Sequence, residues 1–343
     1  MNLPDYNFLS APLWLVTILH IVTLTLHFVA MNFLFGGMFV LLFGKLDDKW
    51  QNPVVRRFVQ LFPTALAATV TLGVAPLLFL QLVYHKQAYA ASIVSGWLWL
   101  FIVVAVIVAY YFLYGAAFSS RGGGRRVPLF LGISLLLLAY VSWVYSTVFA
   151  MAERPDLYRL LYAANQSGAV ANPDAGAWGF RWLHMLSGAV TVGAFCVGLL
   201  GRNDENVYKL GRGFYLWGMA VSIVLGLAYM MTLGEALLPL MRSIAIWLIL
   251  VSLVLSLGSL HFFFKKKFLG AGAMLFVSLL SMVVIRHVLR LIVLRGEFDP
   301  ATTPVSPQWS VFGIFLVCFV VAIGTVWYML RLFLGDRARA TGG

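Results

Sequence analysis

Charge is scarce in this chain: Asp, Glu, Lys and Arg make up 10% of its 343 residues, against 62% hydrophobic, and the mean hydropathy is +0.93. That balance excludes a water-soluble domain, which has no means of hiding so much apolar surface. A bilayer accepts helices that are apolar all round. Cysteine is nearly absent too. Cys196 and Cys318 both fall inside apolar runs, which excludes a disulfide framework, and no CxxCH offers covalent haem attachment. No HxxxH or adjacent-histidine pattern suits a zinc or copper cluster. No linker is long enough to separate a second domain, so residues 1–343 read as a single transmembrane domain. The opening residues carry only Asp5 as a charge and no basic run, so no cleaved signal peptide is expected there. The net charge of +12 does not indicate nucleic acid, because the basic residues sit between apolar runs and form no aromatic-interleaved patch.

What is present is apolar length. A membrane crossing needs about 20 apolar residues, and nine segments qualify, at roughly 12–44, 57–85, 95–119, 127–151, 180–201, 211–233, 240–264, 268–294 and 308–334. The predicted fold class is therefore all-α, a polytopic membrane protein of about nine transmembrane helices in contact with membrane lipid. Pro63 and Pro76 are expected to kink the second span. An odd number of spans puts the termini on opposite sides. Of the 24 basic residues, 16 fall in the loops and tail on the C-terminal side, including KLDDKWQNPVVRR (45–57), SRGGGRR (120–126) and KKK (265–267). The positive-inside rule then predicts a bacterial inner-membrane protein with a periplasmic N-terminus and a cytoplasmic C-terminus. The longest connection, 152–179, lies on the outer side and contains NQSGAVANPDAGAWG, which reads as turns and irregular backbone of the kind that commonly caps a site or meets a partner. No internal repeat is evident.

The histidines carry the functional signal. His20 and His27 lie in span one, His85 ends span two, His184 begins span five and His287 nears the end of span eight, so five of the six fall in the outer half. His261 alone is on the other side, beside Lys265–Lys267. Imidazole in hydrocarbon needs a partner, which a hydrogen bond supplies for a single histidine. Five from four spans in one half-bilayer point to haem or metal ligation. His20 and His27 are seven residues apart, about 10.5 Å of helical rise, so one ion does not take both. Haem asks for one or two axial ligands, apolar walls and cations for its propionates. Arg242 and Arg290 are candidates for that last role, and Arg181 and Arg286 weaker ones. No histidine pair is 13–14 apart on one helix, which argues against haems stacked across the membrane.

The run RWLHMLSGAVTVGAFCVGLLGRND (181–204) resembles the fifth span of the large subunit of cytochrome bd quinol oxidases, and LHFVAMNFLFGGMFVLLFGK (26–45) and LGVAPLLFLQ (72–81) resemble its first and second spans. The resemblance implies subunit I-like bundles, His184 as ligand of a low-spin haem b, and His27 as ligand of a second haem. The departures are specific. In MRSIAIW (241–247) Ile244 stands where that family has a methionine ligand, with Met241 as the nearest substitute and Arg242 retained. In RHVLR (286–290) His287 replaces a ligand glutamate, with Arg290 retained. The third span has no acid, whereas the family's carries two that serve oxygen reduction, and the quinol loop shrinks to about TLGEALLPLMR.

The resemblance and its departures together imply a diverged member that keeps haem but not the oxygen-reducing path. The expected function is a membrane haem b subunit, with two or three haems. It would move electrons between a membrane quinone and a c-type cytochrome or iron–sulfur subunit. His184, His27, His287, His20 and His85 are the candidate iron ligands, with Met241, Arg242 and Arg290 around them. Expected pairings are His184 with a residue near Met241, and His27 near His287. Glu235 is the acid expected at a helix boundary near the cluster. Two alternatives stand beside this one: a quinol oxidase that reduces oxygen, and a haem-free transporter or assembly protein whose histidines move protons.

Overall fold

A computed structural model describes the backbone of residues 8–340. The opening stretch around Asp5 lies outside the described residues, as do the side chains of residues 333–340, which include Arg337 and Arg339. The described chain is helical throughout: α1 (Leu13–Phe43), α2 (Pro53–Val83), α3 (His85–Val94), α4 (Gly96–Arg121), α5 (Val127–Ala152), α6 (Pro155–Ala164), α7 (Ala175–Leu200), α8 (Glu205–Met231), α9 (Leu237–Met241), α10 (Ala245–Phe264), α11 (Phe268–Val293) and α12 (Trp309–Ala340). Nine of these are long and apolar enough to cross a membrane, and α3, α6 and α9 are too short. The protein is an all-α polytopic membrane protein. All three short helices fall in connections on the N-terminal side.

One expectation is corrected. His85 does not end the second span; the backbone turns at Tyr84 and His85 opens the separate helix α3. In the 152–179 connection a short helix precedes the irregular run. This helix, α6, has Pro155 in its first turn, where a missing N–H is harmless. The rest is tied to the α3–α4 junction: Trp97 N donates to Gly168 O (2.9 Å) and Ser95 Oγ to Val170 O (2.7 Å). Gly168 has a φ of +73°, a left-handed conformation that suits glycine.

A two-fold relation organises the bundle. α1 packs on α2 as α7 packs on α8, and α4 on α5 as α10 on α11. α1 and α7 cross at the centre, α1 touches α11, and α5 touches α7. The sequence carries the same relation thinly: His27, Gly36 and Gly44 recur as His184, Gly193 and Gly201, each 157 residues on. Gly36 and Gly193 meet at the crossing, where a Cβ on Gly36 would overlap the Ala189 carbonyl and one on Gly193 the Gly36 backbone. Small residues allow such close approach of membrane helices. The expectation of no internal repeat is therefore corrected.

The two halves are also joined at their caps. Asn52 is the N-cap of α2, accepting from Val54 N (2.9 Å) and Val55 N (3.2 Å), and Asp204 is the N-cap of α8, accepting from Asn206 N and Val207 N. Asn52 Nδ2 donates to Asp204 Oδ2 at 2.7 Å. On this side the core is aromatic, with Phe58, Phe62, Phe195, Tyr215 and Phe263 interlocked. α12 differs from the rest: its described side chains from Trp309 to Met329 are all exposed, and it leaves the bundle through the bridge between Leu9 and Val305.

Candidate functional site

Two histidines occupy equivalent pockets. On α1, His27 Nδ1 lies 2.9 Å from Thr69 O of α2; on α7, His184 Nδ1 lies 2.9 Å from Ser222 O of α8. A carbonyl only accepts, so in each case Nδ1 is the protonated nitrogen and Nε2 keeps its lone pair. Four residues beyond each acceptor is a glycine whose missing side chain makes room for the ring. A Cβ on Gly73 would sit 2.7 Å from His27 Nδ1, and one on Gly226 would sit 3.0 Å from His184 Cε1. Neither Nε2 has a hydrogen-bond partner among the described residues.

A third histidine, His20, is built in the same manner on different neighbours. It is buried, and its Nδ1 lies 3.0 Å from Pro76 O on α2. Arg290 and His287 of α11 are close enough to act on it electrostatically. His20 of α1 and His287 and Arg290 of α11 lie on helices that pack against each other. His85 is buried at the start of α3. His261 is at the far end of α10, beside the lysines, as the sequence suggests.

The remaining candidates are dispersed. Met241 ends α9, is partly exposed, and belongs to a helix that packs on α10 and α11. Arg242 lines a cleft of about 460 Å³ with Arg295, Ser243, Leu238, Val288 and Ile292. Glu235 lies in the short turn before α9.

Sequence reasoning missed Glu153. It is buried at the C-terminus of α5 and gathers three arginines. Arg286 donates to both carboxylate oxygens (2.5 and 2.6 Å), Arg290 Nε lies 3.3 Å from Oε1 and Arg181 3.6 Å from Oε2. Arg181 also donates to the Ser146 carbonyl. Burial by itself would raise the Glu153 carboxyl, but Arg286, Arg290 and Arg181 outweigh it and hold it below the usual carboxylate range. The available signal was the coincidence of three arginines within helices near one membrane face. Glu153, as well as Glu235, is an acid at a helix boundary on the N-terminal side.

No three His, Cys, Asp or Glu side chains converge on one point among the described residues. The donor set is one of single imidazoles with apolar walls, which suits a planar cofactor taking one or two axial ligands and does not suit a bare ion wanting four ligands. No protein-family model, no curated protein and no solved structure matches the chain.

Proposed function

We propose that this protein is a membrane haem b subunit that passes electrons between a membrane quinone and a redox partner on its N-terminal side, a c-type cytochrome or iron–sulfur subunit. One observation carries the reading: His27 and His184 stand in matched pockets, each tethered through Nδ1 to a main-chain carbonyl and each offering Nε2. Fixing one ring nitrogen by an outer hydrogen bond is how a protein sets tautomer and orientation for a ligating histidine. An ordinary buried histidine needs the hydrogen bond but not the glycine that lets the ring seat the same way twice.

On this reading His27 and His184 each hold iron. His20 and His287 are candidates for a further ligand set, His85 is a more remote one, and two or three haems are expected. When bound, haem supplies one-electron chemistry. The chain's own residues orient the imidazoles, wall out water with apolar side chains, and place Arg290 and Arg242 for propionate carboxylates. The acid-free third span supplies no buried proton donor for oxygen reduction, which favours electron transfer. The likeness to the cytochrome bd large subunit supports the same reading. The basic loops on the C-terminal side support a bacterial inner-membrane location with that side in the cytoplasm.

The test is a reduced-minus-oxidised spectrum of the purified protein, which should show a b-type α-band. His184→Ala and His27→Ala should each remove part of it. A colourless wild-type protein from haem-replete cells would sink the proposal in favour of a haem-free transporter or assembly role. Cyanide-sensitive oxygen uptake would replace the conduit by an oxidase.

A further inference from the structure

The cleft of about 460 Å³ between the α9–α10 junction and the end of α11 has the volume of a small-molecule site. One wall is a single face of α11, since Val288, Leu291, Ile292 and Arg295 are spaced by three and four residues. The apolar three lie inside a membrane-spanning helix, and Arg295 stands just past its end. The other wall carries Arg242, which stands just before the span that begins at Ala245. The cleft therefore runs from the membrane boundary into hydrocarbon, with two arginines at the boundary and aliphatic side chains below. Ser243 holds the turn in shape, its hydroxyl donating to Leu240 O (2.7 Å) and accepting from Ala245 N (3.1 Å). Arg242 and Arg295 are exposed, and neither forms an ion pair among the described residues. Orientation charge does not explain them, because they lie on the side opposite the basic loops.

We infer that this cleft binds an anionic phospholipid from the leaflet on the N-terminal side, its phosphate held between Arg242 and Arg295 and an acyl chain laid along Val288, Leu291 and Ile292. The guanidinium fork matches phosphate geometry, and basic pockets between membrane helices are suited to lipid headgroups. The aliphatic stripe gives the chain a surface that continues into the bilayer. Other occupants fit less well. No histidine or methionine lines the cleft to bind iron, which disfavours a porphyrin. A quinol carries no charge to match two cations, and no acid lines the cleft to take its protons. The inference goes beyond the haem reading and does not rest on it. Of the two arginines offered above to porphyrin carboxylates, it takes Arg242 for the lipid and leaves Arg290.

The test is a titration of the purified, delipidated protein with phosphatidylglycerol in detergent, read by native mass spectrometry. Wild type should bind the lipid at this site, and phosphatidylcholine, which has no net charge, more weakly. Arg242→Gln and Arg295→Gln should each weaken phosphatidylglycerol binding about tenfold, as expected for a lost charge-assisted hydrogen bond. Leu291→Trp, which fills the cleft and keeps both charges, should weaken it too. Arg159→Gln, at an exposed arginine on the same side paired with Glu297, should leave it unchanged. Equal binding of the two lipids, or unchanged affinity in both glutamine variants, overturns the proposal. So does full competition by inorganic phosphate at equal concentration, which would show an anion site that makes no use of the acyl chain. Loss of haem from Arg242→Gln with lipid binding unchanged returns Arg242 to the porphyrin and also overturns it. A colourless wild type that still binds the lipid supports this site and sinks the haem reading alone.

Discussion

The His27 pocket and the His184 pocket share a tether, a glycine and a place in the two-fold arrangement, yet their surroundings differ. Around His184 lies a small hydroxyl network: Ser222 Oγ donates to Ser187 Oγ (2.9 Å), and Thr191 Oγ1 donates to Ser187 O (2.9 Å). Around His27, Thr69 turns its hydroxyl back onto Ala65 O (2.7 Å), and the Phe28 ring lies 5.8 Å away. The first half also carries His20 seven residues before its pocket, where the second half has Ala177. The repeated parts are those that fix an imidazole in space. The unrepeated parts are those that set its electrostatic surroundings, which is where two copies of one site would diverge in redox behaviour.

The largest expected effect lies at the crossing that relates the halves. Gly36→Leu and Gly193→Leu force two backbones apart, and not merely two side chains. Overpacking in a core typically costs about 1–3 kcal/mol and sometimes more, and backbone overlap puts these at the upper end. Neither should yield monodisperse protein in detergent. Gly132→Leu on α5, with nothing within 4 Å of its Cβ position, should purify normally. Wild-type yield and melting for Gly36→Leu would mean that the central contact is not what holds the halves together.

Next come the two pocket glycines. Gly73→Ala places a methyl 2.7 Å from the His27 ring and Gly226→Ala one 3.0 Å from the His184 ring, so the first should be the more damaging. Both should fall within about 1–3 kcal/mol by thermal unfolding. Each should perturb only the spectral component that its own histidine variant removes. Equal costs, or a reversed order, would show that ring clearance does not shape these pockets.

Most of the scaffold was legible in the sequence. Span number, helix ends within a few residues, and the gathering of histidines towards one side follow from apolar length and from counting residues. The two-fold relation was not, because its markers are one histidine and two glycines per half, too few to stand out in a chain so rich in Leu, Val and Phe. Glu153 was hidden because a carboxylate next to Arg154 reads as loop solvation. Its burial depends on Arg286 and Arg290, more than 130 residues away. The helix α6 was masked by the turn-forming run that follows it. The likeness of α12 to the other spans is one of composition only, and nothing local distinguishes a packed apolar helix from one facing lipid.

A smaller effect is expected at the paired caps. Asn52→Ala and Asp204→Ala should each cost about 1 kcal/mol as lost N-caps, and the double variant should cost less than the sum, because one hydrogen bond is shared. The pH dependence has a definite sign. The Asn52 hydrogen bond holds the Asp204 carboxyl below its ordinary value. A depressed carboxyl contributes stability that is fully present above its unfolded pKa and is lost as pH falls through the folded one. In Asn52→Ala that acid limb should move to higher pH. An unmoved limb would mean that the caps act independently and that the halves are not coupled there.

The smallest effect returns to the unmatched part of the His184 pocket. Ser187→Ala removes the acceptor for Ser222 Oγ but leaves the His184 tether intact, since that tether runs to the Ser222 carbonyl and not to its hydroxyl. Side-chain hydrogen bonds between membrane helices average about 0.6 kcal/mol, so melting should barely change. What should move is the spectral or redox component assigned to His184, while the His27 component stays fixed, because Thr69 has no part in the network. A change in both components would mean that the two pockets communicate through the Gly36–Gly193 crossing, and the difference between them would then be a property of the whole bundle instead of its separate halves.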